Sequence, residues 1–295
     1  MSRLCWIAVL SLVLTPLASP AQEYAIRLGK PGPGDQLQVK VDNATEVEFK
    51  ALDSSGNAVV EKKEIKGHQF IFRQTGIERG PSGGDLVKLK RTYKKAQRTL
   101  DGDRRTLPFQ GETVLIEKNK DGPFTFQIVD GEVVEGEDAK ELHEEFNKGG
   151  IGKLFEMFQP KQAVKVGETW KLDVAMLAKE FSKDGKIDID AAKATGAGKL
   201  TKAYQKGGVQ FGVVELTLTL PITHFDHEGN KTAVKEGKLV IKLETDGAID
   251  GSMQPSQLRA SFDGGFRGDI TANGMDLTLQ VEIHAKAEEQ RTPVK

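Results

Sequence analysis

The residues with the clearest capacity for chemistry are His224, Asp226 and His227, in the run His224-Phe-Asp226-His227. Two imidazoles and a carboxylate are a ligand set that a cation such as zinc accepts. The run closes a strand pattern and leads into Glu228-Gly229-Asn230, which is turn chemistry. Period-two alternation assigns His224 to the buried set and His227 to the opposite side. That sets the two imidazoles apart, so these three residues are metal candidates only and no metal is expected.

Other short motifs fail on their own terms. Gly80-Pro-Ser82-Gly-Gly84 matches Gly-x-Ser-x-Gly, but a nucleophile elbow needs a strand before it and a helix after it. Here a loop precedes a strand, and Pro81 does not suit the strained turn. Glu117-Lys-Asn119-Lys-Asp121-Gly122 has the start of a calcium loop, yet Ile128 stands where the bidentate Glu belongs. A β-hairpin accounts for it better. Ala194-Thr-Gly-Ala-Gly-Lys199 lacks the first glycine of a phosphate loop, and Leu200 replaces its Ser or Thr. His143-Glu-Glu-Phe-Asn147 lacks the second histidine of a zinc-protease helix. No catalytic residue and no cofactor is expected.

Charge is segregated locally. Lys88 to Arg105 carries eight basic and two acidic residues, and Asp130 to Glu145 carries eight acidic residues and one lysine. Without interleaved aromatics the basic stretch is a poor stacking platform for nucleic acid. The expectation is two solvated faces that meet each other within the fold.

The elements that must position these residues are mostly strands. Gln36 to Val41, Thr45 to Leu52, Val59 to Ile65 and Gln69 to Arg73 read as short strands around the turn Asp53-Ser-Ser-Gly-Asn57. Thr75 to Gly84 reads as a loop, Arg98 to Arg105 as a linker, and Lys183 to Gly198 as another loop. Thr113 to Glu117 and Phe124 to Val129 form a hairpin. Asp138-Ala-Lys-Glu141 has capping-box spacing and opens a helix with Ala139, Leu142 and Phe146 on one stripe. Gly152 to Phe158 and Val174 to Phe181 are further helical pieces. Downstream, Val214 to Ile222, Leu239 to Leu243, Leu258 to Phe266 and Leu277 to Ala287 alternate apolar and polar residues, as antiparallel strands with one buried face do. Thirteen residues at roughly 3.3 Å each span about 43 Å, a length at which a sheet twists and coils. The expected fold is α+β and mainly antiparallel β: a long coiled sheet or half-barrel with a few short helices packed on it. Those helices are expected to cover the C-terminal apolar face.

Residues 1–21 read as a signal peptide, with Arg3, the apolar run Leu4 to Leu14, and Ser19 and Ala21 at a cleavage site. The run is shorter than the ~20 residues of a membrane span. The only cysteine, Cys5, lies within it, so no disulfide is expected in the exported chain. Without the leader the net charge is 41 − 43 = −2, which argues against binding nucleic acid or anionic membranes. The chain is expected to be exported, periplasmic or extracellular, with residues 22–158 forming an N-terminal β-rich half and residues 159–295 a C-terminal long-stranded half, or both forming one continuous domain.

Between the halves lies Gln159-Pro-Lys-Gln-Ala-Val-Lys-Val-Gly-Glu-Thr-Trp170. Pro160 ends a helix, Gly167 turns the chain into a strand, and Trp170 is large enough to seal a core end. Together with Val47 to Gly56 and Thr113 to Lys118, this junction resembles a family of exported, β-rich bacterial proteins of planctomycete type with no known activity. The resemblance implies export and a β-rich fold and brings no site residues. The functional expectation is a non-enzymatic interaction or structural module of the cell envelope, with the partner left open between an envelope protein and a hydrophobic ligand. The alternative is a carrier of a hydrophobic ligand or lipid in a groove between curved sheet and helices.

Overall fold

The period-two pattern is realised as one very large antiparallel sheet. The computed structural model describes residues 22–294 apart from 81–84, 121, 148–156, 183–185, 228 and 273. The expected leader, the Gly80–Gly84 motif after its first glycine and most of the helix expected at Gly152 to Phe158 lie outside the described residues. In chain order the strands are β1 (Glu23–Tyr24), β2 (Gln36–Leu52), β3 (Ala58–Arg79), β4 (Leu86–Leu100), β5 (Asp103–Thr106), β6 (Thr113–Lys118), β7 (Phe124–Ile128), β8 (Val164–Lys165), β9 (Thr169–Lys171), β10 (Ile187–Ile189), β11 (Thr195–Lys206), β12 (Val209–His227), β13 (Asn230–Ala233), β14 (Glu236–Ala248), β15 (Ser256–Ala272) and β16 (Met275–Pro293). Two helices, α1 (Lys140–Asn147) and α2 (Ala175–Ser182), complete the described elements with a 3-10 turn at Gly136–Asp138. No described helix is long and apolar enough to cross a membrane.

Fourteen of the described strands join one sheet, in the order β7-β6-β4-β3-β2-β16-β15-β14-β12-β11-β9, with β5, β10 and β13 added at its sides. The sheet does not close into a barrel. Its two halves meet where β16 ladders against β2, from Thr278 opposite Leu52 to Pro293 opposite Leu37. The short β1 pairs separately with β8.

The strands are longer than the sequence pattern predicts. Val59 to Ile65 and Gln69 to Arg73 belong to one strand of 22 residues, and Gln36 to Val41 and Thr45 to Leu52 to one of 17. Backbone ladders continue through Asn43 and Gly67 because pairing needs no apolar side chain. The Asn43 carboxamide oxygen also accepts the His68 N–H at 2.7 Å. A β-carbon at Gly67 would stand 2.5 Å from the Asn43 carbonyl oxygen, so the close approach requires glycine there. The expected linker Arg98 to Arg105 is a β4–β5 hairpin turning at Asp101-Gly102, both in the left-handed region. The expected loop Thr75 to Gly84 begins as strand up to Arg79, and the loop Lys183 to Gly198 contains β10 and the start of β11. Ala194 to Lys199 therefore lies on a strand and not in a phosphate loop.

One face of the sheet carries three separate apolar clusters. The C-terminal cluster joins Leu216, Leu218, Leu220, Ile241 and Leu243 to Val174 and Leu177 on and beside α2, and to Phe158, Val164 and Ile26. The N-terminal cluster joins Phe70, Phe72, Tyr93, Phe109 and Phe126 to Ala139 and Leu142 beside and on α1. The third, at the far ends of β12, β15 and β16, gathers Phe225, Ile270, Leu277 and Ala51. Each fully buried leucine or phenylalanine contributes about 1.5–3 kcal/mol. The expectation that both helices cover the C-terminal face is corrected: α1 covers the N-terminal cluster, because its apolar stripe meets the aromatics of β3, β4 and β7.

Candidate functional site

The N-terminal cluster is roofed by α1, and two arginines from the sheet hold that roof down. Arg91 on β4 is 4 % exposed. Its guanidinium forks onto Glu145 of α1 at 2.6 and 2.7 Å and donates from Nε to Gln74 at 3.0 Å. It also lies over the Phe72 and Phe146 rings, 4.1 and 4.7 Å from their centroids. Burial, the largest single influence, would raise the Glu145 carboxyl, but the charge and hydrogen bonds of Arg91 with the Arg291 and His68 charges together leave the pKa below the ordinary value. In the same way burial disfavours the Arg91 cation, and Glu145 together with Tyr93 more than compensates, raising its pKa. Arg98 binds Glu141 through Nε, at 2.5 Å, and Nη2, and Arg105 reaches Asp138 at 2.8 Å. The basic and acidic stretches thus face each other, as their charges predict. The capping box at Asp138 and Glu141 does not form. A 3-10 turn precedes the helix, and both carboxylates serve the arginines instead. Burial holds the nearby His68 imidazole below its usual pKa, and that ring stacks on Phe70 at 4.6 Å.

Between the three clusters the apolar face continues across β15, β16 and β2. Ile283 stands opposite Val47, Ala285 opposite Thr45, and Val281 opposite Phe49, with Phe262 beside Ala285. Val47, Phe49, Ile283 and Ala285 are only half-buried and belong to none of the three clusters. Gly264 stands beside Ile283 and contributes no side chain to this face. The result is an apolar saddle bordered on β3 by Lys62 and Lys66, which both bind Glu64. Their two cations hold the Glu64 carboxyl down at about 2. Sequence alternation identifies Ile283 and Val47 as core-facing. What it lacks is any signal that, among the described residues, they join none of the three clusters.

Of the metal candidates, the two with described side chains, His224 and Asp226, turn to different partners. β12 changes phase beyond Ile222: Phe225 is buried, and His224 turns to the other side, 3.5 Å from Asp188 on β10. Its ring nitrogen Nδ1 also lies 3.2 Å from the Thr223 hydroxyl. This corrects the expected burial of His224. The physical cause is that β12 leaves β14 after Pro221 and pairs with β10 and β13 instead. The Asp226 carboxylate accepts the Gly229 N–H at 3.1 Å, which is a turn contact. The His227 side chain lies outside what the structure describes. Among the described residues no group of three potential ligands could hold a metal ion.

At the junction, Trp170 stands opposite Gly198 on β11. Its indole N–H donates to the Phe158 carbonyl at 2.9 Å, and a β-carbon at Gly198 would lie 2.2 Å from the ring. The ring is half-buried against the C-terminal cluster. Gly167 has φ +85°. Its N–H donates to the Leu200 carbonyl at 2.7 Å, so the turn it makes is tied to β11. Pro160 follows Phe158 in the segment leading to that turn, half-buried.

No protein-family model matches the chain, and a search of curated proteins finds no match. Among solved structures, one of lipovitellin, described for its lipid–protein interactions, aligns at TM-score 0.36 and 8 % identity over 89 % of this chain. The chain spans 25 % of that lipovitellin chain. An outer membrane channel from Pseudomonas putida F1 aligns at TM-score 0.19 and 9 % identity, covering 94 % of this chain and all of the channel. A mutant Rh. blastica porin aligns at 0.17 and 8 %, over 87 % of this chain and all of the porin. At these scores the likenesses bear neither on fold nor on function.

Proposed function

We propose that the chain is a non-enzymatic, exported binding module that holds an extended apolar ligand, of the lipid class, against the middle of its sheet. The observation that supports this is the half-buried saddle of Val47, Phe49, Ile283 and Ala285, flanked by three filled clusters on the same face. A protein whose only need was stability would fill that space with side chains, since apolar contact is the largest favourable term in folding. Half-exposed apolar surface between filled cores suits an acyl chain lying across the strands. At the β3 border Lys62 and Lys66 outnumber Glu64 by one positive charge, which suits a ligand whose polar end is anionic. A coiled sheet would deepen the saddle, and this reading includes such coiling. Export and residence in the cell envelope are part of the same proposal, resting on the leader-like first residues.

The test is a titration with an environment-sensitive apolar fluorophore on wild type and on Ile283→Lys. The expected result is saturable binding that the variant weakens about tenfold or more, because a charge placed at the centre of the saddle must be desolvated. Equal, non-saturable fluorescence in both proteins rules the proposal out. A partner protein docking on the same face is the second reading. It is favoured if the fluorophore fails to bind while the purified protein elutes with a stoichiometric companion.

A further inference from the structure

The opposite face of the sheet carries a second candidate site. It is a groove of about 560 Å³ across β12, β14, β15, β16 and β2. Its origin is a cross-strand row in which short and long side chains alternate: Thr217, Lys242, Ser261, Lys286 and Ala44 stand side by side. Thr217, Ser261 and Ala44 form a low floor, and the two lysines rise on either side of Ser261. The next row on that face, two residues along, is Glu215, Glu244, Arg259, Glu288 and Asp42, which makes a charged wall.

The carboxylates of that wall are mostly occupied. Glu244 binds Arg259 at 2.9 Å, Glu288 accepts from Gln257 at 2.6 Å and Gln290 at 2.8 Å, and Asp42 accepts from Gln69 at 2.7 Å. Asp263, two residues beyond Ser261 on the same face, lies 3.1 Å from His284. That imidazole, then burial, Ser261 and Lys242, set its carboxyl, with the net effect of lowering its pKa. Lys242 and Lys286 are exposed, and among the described residues neither ammonium has an ion-pair or hydrogen-bond partner. Lys242 acts on the Asp263 carboxylate only from beyond contact distance, so two ammonium groups without a close partner flank Ser261.

We propose that Lys242, Ser261 and Lys286 form an anion subsite for a phosphate monoester. Neighbouring strands lie about 4.8 Å apart, so the two lysine columns stand roughly 10 Å apart with Ser261 midway. Four-carbon stems let both ammonium groups bend inward onto one tetrahedral anion above the serine hydroxyl. A phosphate monoester carries about −1.5 to −2 charge at neutral pH and three acceptor oxygens, enough for both ammonium groups and the hydroxyl. The site lies on the face opposite the apolar saddle and does not depend on it.

The experiment is a calorimetric titration of ethyl phosphate into wild type, Lys242→Ala/Lys286→Ala and Ser261→Ala. Lys171→Ala serves as control, because it removes a charge on β9 outside the groove. Matching circular dichroism and Tm keep the comparison free of folding effects. The expected result is one-to-one binding that weakens about tenfold for each lysine removed and less for the serine, with the control unchanged. Two results overturn the proposal: no saturable heat with wild type at millimolar ethyl phosphate, or equal binding by wild type and the double-lysine variant.

Discussion

Replacing Glu145 by Gln attacks the contact that holds α1 on the sheet. Arg91 is the more deeply buried partner: its side chain is 5 % exposed against 40 % for Glu145. Breaking a buried pair by removing one member costs about 3–5 kcal/mol when both partners are dry. The partly exposed Glu145 end admits water, and Gln74 and the Phe72 and Phe146 rings remain with Arg91, so the expected loss is smaller, about 2–3 kcal/mol. The asymmetry in burial predicts an ordering. Arg91→Met leaves its uncompensated carboxylate at the wet end and places a thioether between two rings, so it costs less than Glu145→Gln. Combining both substitutions recovers part of the loss, since neither charge then stays buried alone. The pH dependence carries a sign. A carboxyl whose folded pKa is depressed gives stability that is complete above its unfolded value of about 4.3 and is lost as pH falls through the folded value. Wild type therefore loses this share of stability in acid, and Glu145→Gln, already without it, shows a flatter acid limb. Urea unfolding followed by circular dichroism at neutral and acid pH measures all of this. A Glu145→Gln midpoint equal to wild type, or an Arg91→Met protein less stable than Glu145→Gln, would refute the reasoning.

Three further outcomes follow from local geometry. Trp170→Ala costs about 2–3 kcal/mol, less than the full value for a buried ring because the indole is half-exposed. Gly198→Ala also destabilises, and the double variant is less unstable than the sum of the two, since the added methyl no longer meets the ring; strict additivity in thermal unfolding sinks this coupling. Gly265→Ala places a β-carbon 2.1 Å from the Val281 carbonyl oxygen and lowers Tm by forcing the β15–β16 ladder apart, with an unchanged Tm as the contrary result. Burial, and for Tyr204 also its 2.6 Å hydrogen bond to Asp246, pushes Tyr93 and Tyr204 up to about 12. A raised phenol pKa gives stability that is present below the unfolded value of about 10 and is lost as pH rises through the folded one. Spectrophotometric titration therefore shows two of the three tyrosines ionising only near pH 12, and both titrating near 10 contradicts the burial argument.

Much of this architecture is legible in the chain. Period-two runs such as Val214 to Ile222 and Leu277 to Ala287 specify strand and buried face together, because a one-residue slip would expose the whole apolar set. The complementary charges of Lys88 to Arg105 and Asp130 to Glu145 identify the Arg91–Glu145 and Arg98–Glu141 contacts by region, though not by residue. Strand lengths are misread where alternation lapses. Asn43 and Gly67 look like interruptions, yet cross-strand hydrogen bonds carry the ladder through them. His224 is misplaced because its parity depends on β12 exchanging partners after Pro221, a tertiary event with no local signature. The helix target is misread for a similar reason: Leu142 carries an apolar stripe but no address, and proximity to the Phe126 hairpin decides which cluster it joins. The saddle itself is half legible. Its apolar residues are plain, while their standing outside the three clusters depends on which strands α1 and α2 pack against.

The account rests on that half-buried apolar face being a binding surface. Native mass spectrometry of the full chain, purified without detergent from cells that express it, reads this most directly. The predicted result is a mass excess of lipid size that is released on denaturation and absent from Ile283→Lys. Bare protein mass for freshly purified wild type, together with no uptake of a fatty acid added in excess, would contradict it.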